Sequence, residues 1–246
     1  MPKSRLVKTR GIVFKSFKYG ETSLIVDIYT EERGLRRYIV SGVRKRKARF
    51  SAGLLQTMSL IDLVAYDRED RDLNRISEIR PAYLYQSVPF HLKKGAIGLF
   101  MIELSRKSIR ESEENRPLFD FLFEGFRFLD QTDKAVANIH LHFMIELSAY
   151  LGFMPGGDYS EDKPYFDLEE GIFADNAPTH SNYLEARYSQ LLWALQNTSV
   201  GEVHLLQFNR KERQRMLTYL IDYYRLHIEN FPLIHTHSVL KEVLGE

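Results

Sequence analysis

From Arg33 to Arg49 the chain sets out eight cations, Arg33, Arg36, Arg37, Arg44, Lys45, Arg46, Lys47 and Arg49, with no carboxylate among them. Tyr38 and Phe50 are interleaved with these charges, and Gly34 and Gly42 bracket the apolar-containing run 35–40. Positive charge at this density suits a phosphate backbone, and flat rings beside it offer faces on which bases stack. The same composition also fits a solvated loop whose charges keep a protein soluble. The surrounding chain has to decide between the two.

Other chemistries lack their residues. The sequence has no cysteine, which rules out disulfides, thiolate zinc ligands and a thiol nucleophile. There is no phosphate-binding loop of the Walker type, no glycine-rich dinucleotide fingerprint and no Gly-x-Ser-x-Gly elbow. His140 and His142 fall two apart in a helical pattern, so their side chains diverge and do not share a metal. His235 and His237 would converge on an extended strand, but only weak potential ligands lie near them in sequence. Glu103, Glu146 and the acidic tract 154–182 supply carboxylates with no spacing that marks an acid/base pair. The expectation is a protein with no catalytic residues, no metal and no cofactor.

Charge is distributed unevenly. Residues 1–80 hold 18 Lys and Arg against 10 Asp and Glu, a net +8, whereas residues 81–246 hold 16 against 23, a net −7. A basic module joined to an acidic one implies a polyanion-binding part and a part with a different task. The 246 residues exceed a typical single domain. No apolar run is long enough to span a bilayer, and the first residues lack the apolar core of a signal peptide, so the expectation is a cytoplasmic protein with no membrane partner.

Hydrophobic periodicity supplies the elements. Runs 11–17, 22–30, 35–41, 59–66 and 75–84 alternate with period two and are rich in β-branched and aromatic residues. On the first run, Ile12 and Phe14 share one face while Val13, Lys15 and Phe17 share the other. Tight turns join the runs at 19–21 and 31–34, and the polar tract 67–72 reads as a hairpin tip. Five short strands in about 80 residues predict a small closed barrel of the oligonucleotide/oligosaccharide-binding (OB) type, although other five-stranded barrels share the pattern. The basic run then forms the third strand and the crossover 41–55. After Pro81 the period becomes helical, with stripes in 88–109, 118–129, 134–151, 183–197 and 210–231; Asp133 is expected to cap the third of these. The expected organisation is multidomain β + α: residues 1–80 an OB-fold domain, residues 81–246 a helical domain, and residues 154–182 a small irregular insert. That insert carries seven carboxylates and one lysine, which makes it a poor DNA contact, and 165–168 with 171–173 could close a hairpin.

Residues 11–57 carry a more specific pattern. Gly11-Ile12-Val13-Phe14, Tyr19-Gly20-Glu21-Thr22, Thr30 with Gly34, Gly42-Val43-Arg44 with Lys47, Arg49 and Phe50, and Leu55-Gln56 occur in an order and spacing that resembles the RecO family of bacterial recombination mediators. Leu151-Gly152-Phe153 with Pro155 resembles the family's stretch ahead of its inserted subdomain. Many members carry a four-cysteine zinc module there; this chain has the acidic, Tyr- and Phe-containing insert instead, so zinc is not expected.

The resemblance implies an N-terminal OB domain and a C-terminal helical domain. It also implies a non-enzymatic DNA repair and recombination mediator, cytoplasmic and nucleoid-associated. Such a protein binds single- and double-stranded DNA, anneals complementary strands and, with a RecR-type partner, helps a RecA-type recombinase displace single-strand-binding protein. Arg36, Arg37, Arg44, Lys45, Arg46, Lys47 and Arg49 would then hold phosphates, with Lys3, Arg5, Lys8 and Arg10 extending the basic track. Tyr38, Phe14, Phe17 and Phe50 are the candidate stacking rings, Phe14 being the one whose face with Ile12 favours core. The acidic, Phe-ended tail of single-strand-binding protein would meet a cation beside an apolar wall, for which Lys93, Lys94, Arg106, Lys107 and Arg110 next to Phe100 and Met101 are candidates. An RNA-binding OB protein using the same basic loop, and a hydrolase with a site near the acidic insert, are the rival readings.

Overall fold

The computed structural model describes residues 5–43, 50–67, 72–110 and 113–245. The chain forms two compact units. One joins the chain up to Ser87 with Ile109–Asp130, and the other joins Val88–Ser108 with the chain from Gln131 onward.

The first unit is a closed barrel of five strands: β1 (Arg5–Tyr19), β2 (Ser23–Thr30), β3 (Gly34–Val40), β4 (Leu60–Asp67) and β5 (Asn74–Tyr83), in the order β1-β2-β3-β5-β4. All neighbours are antiparallel except β3 and β5, whose parallel pairing, Tyr38 with Asn74 and Ile39 with Arg75, closes the barrel. This is the OB arrangement that the sequence predicts. β1 is long enough to serve two partners, its first half pairing with β4 and its second half with β2. Inward residues follow the two-residue period: Leu24, Val26 and Ile28 of β2, Tyr38 and Val40 of β3, and Ile61, Leu63 and Ala65 of β4 meet Val13 and Ile76 in one core. Gly11 lies close against this interior. A Cβ there would lie 2.6 Å from a methyl of Ile28 and 2.9 Å from one of Leu63, so a larger residue would force those core side chains to shift.

The register of β1 against β2 shifts between Val13 and Lys15, the mark of a bulge at Phe14. Strict alternation puts Lys15 and Phe17 with inward-facing Val13. The extra residue instead turns them outward, opposite Asp27 and Ile25. Phe14 also faces out but is buried, stacked on Tyr29 at 5.5 Å. Helix α2 of this unit (Arg116–Gln131) covers that pair through Phe119, whose ring centroid lies 6.2 Å from that of Tyr29.

The second unit contains α1 (Leu92–Ser108), α3 (Ile139–Tyr150), α4 (Ala186–Gln196), α5 (Arg210–His227) and α6 (Thr236–Val243). Helix α3 is apolar on every side, with Leu141, Phe143, Met144, Ile145 and Leu147 all buried, and packs against α1, α4 and α5. It starts at Ile139, later than its stripe predicts, and Asp133 is not its cap. Asn138 holds the N-cap position but makes no side-chain cap, because its amide donates to the carbonyls of Val203 and Leu206 and accepts from Arg213. Helix α5 opens with a reciprocal capping box in which Asn209 accepts from the Glu212 N–H and Glu212 accepts from the Asn209 N–H, both at 2.9 Å.

Between α3 and α4 the acidic insert forms a three-stranded sheet, β7 (Ile172–Ala174), β6 (Tyr165–Asp167) and β8 (Tyr183–Leu184), in that order; β6 and β7 form the hairpin expected from the sequence. Its core is aromatic: Phe166 meets Phe173 at 4.9 Å and Tyr223 of α5 at 6.1 Å, and Phe153 stacks on His227 at 5.4 Å. The Tyr223 hydroxyl donates to the Phe153 carbonyl at 2.7 Å. Gly171 has φ +70°, and a Cβ on it would lie 2.8 Å from that hydroxyl. Rings and hydrogen bonds thus hold this segment.

Candidate nucleic-acid interface

The outward bulge assembles a face across β1, β2 and β3. Register pairing places Lys15, Asp27 and Arg37 in one row, and Phe17, Ile25 and Ile39 in the next; Arg75 of β5 lies beside Ile39. Directly opposed residues in adjacent strands stand about 5 Å apart at Cβ, so each row is contiguous. Phe17 is 36% exposed and Tyr19, two residues along the same strand, 52%. The Lys15 ammonium lies 5.8 Å from the centre of the Phe17 ring. The face thus sets a charged row beside an apolar row that ends in a cation, an arrangement able to take phosphates on one side and flat bases on the other.

The predicted residues separate into groups. Arg37 is on this face, 55% exposed, and bonds Asp27 through Nε at 2.7 Å and Nη2 at 3.4 Å. Asp27 raises its pKa, first by accepting that hydrogen bond and then by its charge. Arg36 has the inward register opposite Ile28 and is half-buried, its Nη1 donating to the Leu35 carbonyl at 3.3 Å. Tyr38 is 1% exposed and belongs to the barrel core. Lys8 is exposed on the outer side of β1 opposite Val64, where it lines a groove with Asp62, Glu78 and Arg80. Arg5 opens β1 in register with Asp67. Lys3, Arg44, Lys45, Arg46, Lys47 and Arg49 lie outside the described residues. The chain on either side of 44–49 is anchored: Val43 and Leu55 are in the barrel core, and Phe50 packs against it.

Arg10 is committed elsewhere. Its guanidinium bonds both oxygens of Glu31 at 2.8 and 2.9 Å and Asp120 of α2 at 2.8 Å, and it lies over the rings of Phe119 and Phe123. Hydrogen bonding to Arg10 holds the Glu31 carboxyl below its ordinary pKa against the opposing effect of burial. Arg116 adds a second cation 3.3 Å from Glu31. This network fastens α2 to the barrel.

Sequence reasoning does not single out Lys15, Tyr19 or Arg75 as contacts. The alternating Lys15-Ser16-Phe17-Lys18-Tyr19 is plain in the sequence, but strict alternation pairs Lys15 and Phe17 with a core residue, and only the bulge puts them outside. In the second unit, His140 and His142 are both buried in α3, and among the described residues no group of three or more His, Asp and Glu could hold a metal ion. Lys94 is buried and donates to the Thr132 carbonyl at 2.7 Å, and Lys107 bonds Glu103 and the Leu233 carbonyl. No described helix is long and apolar enough to cross a membrane.

Comparison with known proteins matches both halves of the chain. Residues 3–85 match the family model described as Recombination protein O N terminal, and residues 89–237 the one described as Recombination protein O C terminal. Among curated proteins, the DNA repair protein RecO of Phocaeicola vulgatus is 35% identical over 240 residues, which is 98% of this chain and all of that protein. Proteins of the same name from Christiangramia forsetii and Bacteroides fragilis are each 38% identical, over 98% and 97% of this chain and 100% and 99% of their own lengths. With an OB barrel, a helical unit and full-length relatives at this identity, the chain belongs to the RecO family.

Proposed function

We propose that this chain is a non-enzymatic DNA repair and recombination mediator. In this reading it binds single- and double-stranded DNA, anneals complementary strands and helps load a RecA-type recombinase onto DNA coated by single-strand-binding protein. The observation that carries the reading is the outer barrel face, where the Lys15 and Arg37 row adjoins the Phe17, Ile25 and Ile39 row. Phosphate contacts from that row and from the cations of 44–49 are independent of sequence, and so is stacking on Phe17, and annealing requires a grip of that kind. The relatives' shared name, DNA repair protein RecO, makes DNA the favoured polyanion over RNA.

Residues 81–246 take the protein partners in this division of labour: a RecR-type mediator and the acidic, Phe-ended tail of single-strand-binding protein. With Lys94 and Lys107 engaged inside the fold, the tail's seat is the α1 face on which Leu92, Leu99 and Arg106 recur every seven residues, with Lys93 alongside. Leu92 and Leu99 are exposed there, so cation and apolar wall stand side by side.

The test is annealing of complementary oligonucleotides coated with cognate single-strand-binding protein, comparing wild type with a variant in which Arg44, Lys45, Arg46, Lys47 and Arg49 are changed to Ala. With about five loop cations on phosphates, log K for single strands falls against log[salt] with a slope near −3.5. The variant is expected to lose most of that slope and its annealing. An unchanged slope would assign the basic run to solvation alone, and tighter binding of structured RNA than of DNA would favour the RNA-binding reading.

A further inference from the structure

Asp27 is the single carboxylate in the row between Lys15 and Arg37, opposite the first on β1 and the second on β3. It is 19% exposed, and its two oxygens take the Nε and Nη2 of the Arg37 fork. A carboxylate presents to guanidinium the same two-oxygen geometry as a phosphate. Arg37 is therefore already occupied by an internal stand-in for the ligand that the face is suited to hold. Asp72 adds a second negative contribution to the field at Arg37. By contrast, Arg10 has the same fork filled by Glu31 under the rings of α2, with no comparable exposure.

We propose that Asp27 is an intramolecular competitor for Arg37 that sets how readily the face exchanges a nucleic-acid backbone. In the empty state Asp27 keeps the guanidinium extended along the sheet and cancels one of the two charges in the row. An arriving phosphate takes the Arg37 fork from Asp27, beginning from Lys15 on the far side of the same row. When a contact loosens, Asp27 is within hydrogen-bonding distance to recapture the arginine. Backbone exchange then proceeds by substitution, with no interval in which the guanidinium stands unpaired. A protein that must hold one strand and then release it to a complementary one needs weak, replaceable contacts of this kind. This inference rests on the proposed reading of the outer face as the nucleic-acid contact.

The experiment is a salt titration of a labelled oligothymidine followed by fluorescence anisotropy, with wild type and the variants Asp27→Asn, Arg37→Gln, Lys15→Gln and Asp27→Asn/Arg37→Gln. Asparagine keeps the shape and one acceptor oxygen but not the charge. Asp27→Asn is expected to bind on the order of fivefold tighter at low salt, with a slope steeper by about 0.7, because no carboxylate is left to take up a counterion when the phosphate reaches Arg37. It is also expected to release the strand more slowly, and the gain should vanish when Arg37→Gln is added. If Arg37→Gln and Lys15→Gln weaken binding while Asp27→Asn binds no better than wild type, Asp27 is a brace and the competitor idea is overturned, with the interface left standing. A gain that persists in the double variant also overturns it, since the effect is then long-range charge alone. If every variant binds as wild type does, this face is not the interface and both readings of it fall. Unchanged thermal melting of Asp27→Asn separates each outcome from misfolding.

Discussion

Arg10 and Arg37 lie on the same side of the barrel wall, and what surrounds each fork gives them different tasks. Arg10 makes three charge-assisted hydrogen bonds beneath two phenylalanine rings, whereas Arg37 bonds the carboxylate of Asp27 with more than half of its side chain exposed. Both read identically in the sequence as cations on a β-rich segment, because the difference depends on Glu31 and Asp120, the latter more than a hundred residues away. Burial likewise separates the histidines. It holds His140 down to about 3 and also lowers His142, while Arg213 adds to the effect at His140. A histidine kept neutral in the folded state but free to charge in the unfolded chain makes stability fall as pH drops from about 6.5 toward 3. His140→Phe, which retains an edge-on aromatic contact with Phe100, is expected to flatten that decline. Thermal midpoints at pH 7 and pH 4.5 measure it, with the variant losing fewer degrees than wild type.

Elements show where periodicity suffices and where it stops. In β2 and β3 the inward residues Leu24, Val26, Ile28, Tyr38 and Val40 follow the predicted alternation, whereas β5 shifts register twice against β4. β1 departs from it through a single inserted residue that no two-residue pattern can reveal. The stripe of α2 is legible in the sequence, but a stripe says which side is covered and not what covers it, so its place against β1 and β2 is not. Helix α6 depends on a residue far from it in sequence. Glu103 accepts from the Thr236 hydroxyl at 2.6 Å and from the N–H groups of Thr236 and His235, and pairs with Lys107 at 2.6 Å. Burial alone would raise its pKa, but Lys107, the hydroxyl and the two N–H groups outweigh it and bring the carboxyl to about 2. That contribution is fully present above about 4.5 and is lost as pH falls toward 2. Glu103→Gln is expected to cost about 2 kcal/mol at pH 7, since Lys107 and the start of α6 lose a charged partner. Urea denaturation should show the gap between variant and wild type narrowing as the pH is lowered to 3.

Over the whole molecule, the +8 of residues 1–80 and the −7 of residues 81–246 stand in the order of the residues alone, whereas the grouping of Ile109–Asp130 with the barrel does not. The proposed division of labour can be cut at its joint. Leu99→Glu with Arg106→Glu should abolish capture of a peptide bearing the acidic, Phe-ended tail, with affinity down at least roughly tenfold. Binding of bare oligothymidine should stay unchanged, both readings coming from anisotropy on the same preparation. Equal loss of both activities would place the two functions on one surface. The aromatic cluster of the insert has a consequence of another kind. A thiolate metal module can be stripped by chelators or oxidised at sulfur. Here Phe153, Phe166, Phe173, Tyr223 and His227 close the same stretch with rings that peroxide leaves largely alone. With no cysteine to oxidise, the insert's fold does not depend on thiol redox state, and it is expected to persist under peroxide.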